Sequence, residues 1–364
     1  MKTFLSVRPR QLHSSTNQIC DEFANSCGSY SLADDINQHL YIVFRGTKSK
    51  AQLLTEGWHS LQPSIDFYGI GNANTYFFHA LEALWPNVEQ ALVEYPNYAV
   101  TFTGHSLGGA LASLAALKTV LFGLRNSNYV KLYTFGQPRV GNILLAQRHN
   151  ELVPQSYRIV HGVDIVPHLP GCAKDEIMGA SSHPCDPDNL ERPYHHGIEI
   201  YYPHEMREDS PYIECLGAPF GEDYNCSDRL TFIPEHHFQY TYAHRHYFEH
   251  KVPPFGKLGC QGSKQEEEKL PNNYGSSSNE AAGHHHSTFK SVANKIRFAS
   301  QFLELSQVGS NEISHPFLIQ QNTQKSTTNT ISNPCNNTQT VTLPSSSSQS
   351  SSTNNRDALK KNND

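Results

Sequence analysis

The chain has 364 residues, room for about two average domains, with 28 basic against 34 acidic side chains and a formal charge of −6. Hydrophobic residues make up 37% and glycines number 23, a little under the globular norm of roughly 45–50% apolar, so part of the chain is not core. No long basic cluster suits nucleic acid, and the longest apolar stretch, Leu111 to Leu124, is broken by Lys118 and Thr119 and falls short of the roughly 20 residues of a bilayer span.

In chain order, the apolar run before Arg8 is shorter than the roughly 7–15 residues of a signal-peptide core, so no export signal is visible. Residues 1–39 are read as an N-terminal segment that is incomplete. His39–Phe44 (HLYIVF) predicts a strand. Leu53, Leu54, Trp58 and Leu61 follow at near-helical spacing among polar residues, with Gly57, Gly69 and Gly71 as hinges. That pattern fits either a mobile cover or a surface helix packed on the core. Thr75–Tyr95 predicts a helix with Pro86 as a kink or restart, Tyr98–Thr103 a strand, and Leu107–Leu124 an Ala/Leu-rich helix. Val130–Phe135 and Tyr157–Val160 predict further strands. The alternation argues for an α/β domain over 40–260 with a mostly parallel sheet covered on both faces. From 261 to 364 the text turns to Gln, Glu, Asn, Ser and Thr and predicts a disordered tail. Phe289, Val292, Ile296, Phe302 and Leu305 interrupt it at helical intervals, so a helix over 288–306, docked or transient, is expected.

Six of the eight cysteines fall into short-range pairs, Cys20 with Cys27, Cys172 with Cys185 and Cys215 with Cys226, each around a loop bearing Gly, Pro or Asp. This reads as a disulfide-stapled, secreted scaffold, although eight cysteines allow on the order of a hundred connectivities. Structural zinc is the competing reading, and no pair has the tight C-x2-C spacing it favours.

Gly104-His105-Ser106-Leu107-Gly108 fits G-x-S-x-G, a weak motif alone. Here a β-rich strand runs into it and an apolar helix runs out, the setting of a nucleophile elbow. Ser106 Oγ is then expected to stand exposed at a helix N-terminus, with glycines at ±2 removing β-carbons that would collide. A serine hydroxyl needs a base and a carboxylate, in chain order Ser, Asp, His. Asp164 follows a predicted strand, and His195 or His196 supplies a histidine beyond it, but 21 histidines leave the choice open on order alone.

Phe44-Arg45-Gly46-Thr47, Gly104 to Ala110, Thr134 to Gly141, Asp164-Ile165-Val166-Pro167 and His195-His196-Gly197-Ile198-Glu199 together resemble the class 3 (fungal-type) triacylglycerol lipases over roughly residues 40–203. Tyr194 to Pro203, Glu222-Asp223 with Cys226-Ser227-Asp228, and His246-Tyr247-Phe248 resemble the secreted nematode branch of that family. The resemblance implies an α/β-hydrolase fold and a triad of Ser106, Asp164 and His195, the last selected over His196 by its spacing to Glu199. It places a lid around Leu53, Leu54, Trp58 and Leu61. An oxyanion hole is assigned to the backbone N–H of Leu107 and to Thr47, after the strand ending at Phe44.

The function expected is a serine carboxylester hydrolase, in first place a triacylglycerol lipase, acting on ester or acylglycerol at a lipid surface without cofactor or metal. A lipid-binding pseudo-hydrolase and a phospholipase or feruloyl esterase of the same fold are the alternatives. No protein partner is expected. His236-His237, His244, His246 and His250 are read as packing residues among Phe238, Tyr240, Tyr242, Tyr247 and Phe248 rather than metal ligands. Asn225-Cys226-Ser227 and Asn336-Asn337-Thr338 fit the glycosylation sequon.

Overall fold

A computed structural model describes residues 11–20, 26–46, 63–174, 182–207, 209–216, 221–248 and 250–252. Thr47, the lid residues Leu53, Leu54, Trp58 and Leu61, Asn336, and the tail from 261 with its helix over 288–306 lie outside the described residues.

Among the described residues the main sheet has eight strands: β1 (Gln11–Ile19), β2 (Ser26–Asp34), β3 (His39–Phe44), β4 (Ala99–His105), β5 (Val130–Phe135), β6 (Ser156–His161), β7 (Ile198–Tyr202) and β8 (Ile213–Cys215). They lie side by side in the order in which they occur in the chain. β3 to β7 are mutually parallel, while β1, β2 and β8 run antiparallel at the two edges. Residues 11–34, part of the N-terminal segment read over 1–39, extend the same sheet.

Strand order explains how the two faces are covered. When each right-handed crossover steps the same way along the sheet, its helix falls on the same face as the one before. The helices α1 (Thr75–Glu94), α2 (Leu107–Leu121) and α3 (Ile143–Leu152) accordingly pack on Leu40, Ile42, Phe44, Val100, Phe102 and Leu132. The alternate residues Tyr41, Val43, Tyr133, Phe135, Tyr157 and Ile159 point the other way, as the period of two requires. That face is covered by Tyr247, Phe248 and Val252 from the chain far beyond β7. Both faces are covered, but among the described residues only one of them by crossover helices.

α1 buries Phe77, Leu81, Leu84, Trp85, Val88 and Leu92 along one stripe and starts at Asn74, whose side chain accepts the Phe77 N–H at 3.2 Å. Burial of Trp85 and Val88 on either side of Pro86 carries the helix through it without a break. α2 is buried on nearly all sides, between α1, α3 and the sheet, which is why its sequence is apolar all round.

Candidate active site

β4 ends at His105, Ser106 makes the turn, and α2 begins at Leu107. Ser106 has φ 57° and ψ −127°, a left-handed conformation that costs an L-residue on the order of 1–3 kcal/mol and persists only where surroundings enforce it. Two glycines permit it. A β-carbon on Gly104 would run into the backbone of Gly108, and one on Gly108 into the carbonyl of Phe44 at the end of β3. The Ser106 N–H donates to Phe135 O at 2.9 Å and ties the elbow to β5. Ser106 is buried rather than exposed as the sequence suggested, at 3% of its free surface.

Asp164 lies in the turn after β6 and is fully buried. Its backbone N–H donates to His161 O at 3.0 Å. Its carboxylate accepts the Val166 N–H at 2.9 Å on Oδ1 and the Tyr247 hydroxyl at 2.7 Å on Oδ2. The imidazole facing it is His244, on the short helix α4 (His237–Arg245). His244 Nδ1 stands 2.9 and 3.0 Å from the two carboxylate oxygens, and His244 Nε2 stands 2.9 Å from Ser106 Oγ. Burial pushes the Asp164 carboxyl up, but the His244 charge and the bonds from His244, Tyr247 and Val166 more than offset this and hold it below the ordinary range. An ionised carboxylate, an imidazole and a hydroxyl in line can pass a proton from the hydroxyl to the imidazole.

His195 does not take part in this chain of bonds, which corrects the expectation. Its Nε2 donates to Pro167 O at 2.6 Å, and its backbone N–H donates to Glu222 Oε1 at 3.0 Å. The register shows why it falls elsewhere. In the parallel pair β6–β7, Tyr202 is level with His161, beside the turn carrying Asp164, whereas His195 precedes Ile198 at the end where β7 begins. Glu199, whose spacing selected His195, is bound elsewhere, with Oε2 facing the Arg158 guanidinium at 3.4 Å and Oε1 accepting the Ser227 N–H at 3.2 Å. Burial, then Arg158 and Arg139, push the His195 pKa well below normal, a poor setting for a proton acceptor. His196 is buried too, with Nε2 2.7 Å from Ser113 Oγ and its ring stacked 3.6 Å from that of His149.

Around His195 lies a buried ionic cluster. Arg139 meets Glu222 at 2.7 and 3.2 Å, and Arg158 also donates to His196 O at 2.7 Å. Asp228 Oδ2 accepts the Cys185 N–H at 2.9 Å. The disulfides Cys172–Cys185 and Cys215–Cys226 border the cluster, and Cys20–Cys27 ties β2 to the residue that follows β1. The three pairings are those the spacing suggested.

Of the two expected oxyanion donors, Leu107 is the first residue of α2, where an N–H has no acceptor within the helix. The residue that sequence reasoning missed is His244. Its signal was the requirement that the base follow serine and aspartate at any distance, with Tyr247-Phe248 three residues on marking a segment that packs back on the sheet.

A mostly parallel sheet with a strained strand–serine–helix turn and a Ser–His–Asp line of hydrogen bonds defines an α/β-hydrolase. The profile for lipase (class 3) matches residues 41–174. The lipase ZK262.3 of Caenorhabditis elegans is 46% identical over 269 residues, 72% of this chain and 76% of that one. The secreted mono- and diacylglycerol lipase 1 of Fusarium solani is 32% identical over 148 residues, covering 39% of this chain and 43% of the relative. Among solved structures, the triacylglyceride lipase of Rhizomucor miehei superposes with a TM-score of 0.51 at 22% identity, over 67% of this chain and 82% of that one, a likeness of fold. The chain belongs to the class 3 lipase family and is a carboxylic ester hydrolase.

Proposed function

We propose that this enzyme is a triacylglycerol lipase in which Ser106 is the nucleophile, His244 the general base and acid, and Asp164 the group that orients the imidazole. The carrying observation is the line Ser106 Oγ–His244 Nε2 at 2.9 Å and His244 Nδ1–Asp164 at 2.9 Å. Ser106 Oγ attacks the ester carbonyl while its proton moves to His244 Nε2. The Leu107 N–H, with Thr47 as second donor, stabilises the oxyanion. Collapse releases the alcohol, protonated by His244, and leaves an acyl-serine. Water then attacks the acyl group, giving its proton to His244, and the fatty acid departs as the serine is restored.

Ester substrates at a lipid surface follow from the family, and the names of the Fusarium and Rhizomucor lipases support acylglycerols in particular. Three disulfides among the described residues support an oxidising, extracellular destination. Among the described residues no helix is long and apolar enough to cross a membrane. Asn225, exposed in its turn, is proposed to carry an N-glycan, seen as a mass loss on enzymatic deglycosylation of protein from a secretory host.

The test uses Ser106→Ala with emulsified triacylglycerol, monoacylglycerol and phospholipid. The parent should hydrolyse triacylglycerol and be labelled on Ser106 by an alkyl phosphonate, and the variant should lose about 10⁶-fold in kcat. A parent that binds the emulsion but neither turns over nor labels would be a pseudo-hydrolase. A marked preference for phospholipid would reassign the substrate while keeping the site.

A further inference from the structure

The short helix that delivers His244 ends just after it, at Arg245. The last four carbonyls of a helix have no partner within it, and a buried carbonyl left unpaired is costly. Here imidazoles meet several of them. His105 Nε2 lies 2.8 Å from the carbonyl of His244 itself. His161 Nδ1 lies 3.2 Å from Ala243 O and 2.6 Å from His246 O, on either side of it, while His161 Nε2 lies 3.1 Å from His204 O. His246 Nδ1 turns back to Tyr242 O at 2.8 Å.

The placement of these imidazoles is informative. His105 is the last residue of β4, directly before Ser106, and its ring lies against that of His244 with centroids 4.6 Å apart. His161 is the last residue of β6, and its carbonyl accepts the N–H of Asp164. Each strand that delivers one member of the line therefore also grips the backbone carrying the third. Burial, then the neighbouring His244 charge, push the His105 pKa down to about 3, so it stays neutral and facing a carbonyl carries its proton on Nε2.

We propose that His105 and His161 are positioning residues for the base. With His105 donating from Nε2 at the end of β4 and His161 from Nδ1 at the end of β6, the one N–H that each neutral ring carries, they cap α4 and fix His244 at hydrogen-bond distance from both Ser106 and Asp164. The proposal rests on the assignment of His244 as base. Both rings are buried, so removing a donor should lower kcat and leave KM for a soluble ester nearly unchanged.

The test compares His105→Leu, His105→Asn and His105→Gln, with His161→Leu and His161→Asn as an independent pair, on a soluble p-nitrophenyl ester. A glutamine amide nitrogen reaches where Nε2 stood and an asparagine amide nitrogen where Nδ1 stood. Small misplacement of a reacting group costs up to about 100-fold in rate, so His105→Leu and His105→Asn should lose roughly 10- to 100-fold in kcat. His105→Gln should recover most of it, and at position 161 asparagine should outperform leucine. Should either leucine variant fail to fold, the contrast of asparagine with glutamine at 105 still decides. Equal kcat for those two, or losses confined to KM, would overturn the proposal. If Ser106→Ala or His244→Ala were fully active, the assignment of the site would fail instead, a separable result.

Discussion

Among the described residues two buried groups bring histidine and carboxylate together, and they differ in what surrounds them. At the ends of β4 and β6, His244 meets one ionised carboxylate and one hydroxyl, and among the described residues no arginine bonds to that carboxylate. Beside the start of β7, His195 and His196 lie among Arg139, Arg158, Glu199 and Glu222, with the guanidiniums paired to the carboxylates. A carboxylate can orient and stabilise an imidazolium only if its charge is not already claimed. Asp164 is available to His244, whereas Glu199 and Glu222 are committed to Arg158 and Arg139. The first group is suited to moving a proton and the second to holding β7 and the disulfide-bordered loops together.

Substitution separates the two. Asp164→Asn should drop kcat by about 10⁴-fold, because the imidazole loses the partner that fixes its tautomer, with little change in Tm. Glu199→Gln should do the reverse. It leaves Arg158 short of a buried partner and should cost about 3–5 kcal/mol in denaturant unfolding, with kcat per folded molecule near the parent value. A large loss of kcat without loss of stability in Glu199→Gln would erase the distinction.

Tyr247→Phe sharpens the comparison on the catalytic side. It removes one donor to the Asp164 carboxylate, worth about 1.5–3 kcal/mol for a bond to a charged group, and should raise the pH at which that carboxylate titrates. The acid limb of the pH–rate profile should move upward, and an unmoved limb would count against a role for Tyr247 at the aspartate.

The smallest expected effect concerns His149 and His196, buried with their rings stacked 3.6 Å apart. Burial pushes His149 down to about 3 and His196 well below its ordinary value. Both bind protons more readily unfolded, so their contribution to stability is complete above the unfolded pKa near 6.5 and is lost as pH falls towards the folded values. Each should add about 1.4 kcal/mol per pH unit to the slope of unfolding free energy between roughly pH 6 and 4. His149→Gln should flatten that slope by about one proton, and an unchanged slope would show the ring to be accessible to protons in the folded state.

Much of this was legible in the sequence because it is local. β3 and β5 begin and end where their β-branched and aromatic runs do, and Gly104 and Gly108 announced the turn that their backbone contacts require. Asp164 was legible because it follows a strand by three residues. The proposed base was not, because it reaches the site from 80 residues beyond Asp164 through a packing face that local patterns do not encode. His195, with Glu199 four residues on, had a motif's appearance, and its spacing instead serves the Arg158 ion pair. A histidine-rich run among aromatics read as packing, but His244 meets Ser106 and Asp164 instead, and His236, His237 and Phe238 are exposed.

The most direct test of the account sets His244→Ala beside His195→Ala in one assay, with folded fraction measured by near-UV circular dichroism. His244→Ala should fold like the parent and lose kcat nearly as completely as Ser106→Ala, because members of such a unit fail together. His195→Ala should melt earlier but keep kcat per folded molecule within about tenfold, since a buried cavity costs stability rather than chemistry. An active His244→Ala beside a well-folded, inactive His195→Ala would contradict the account at its centre.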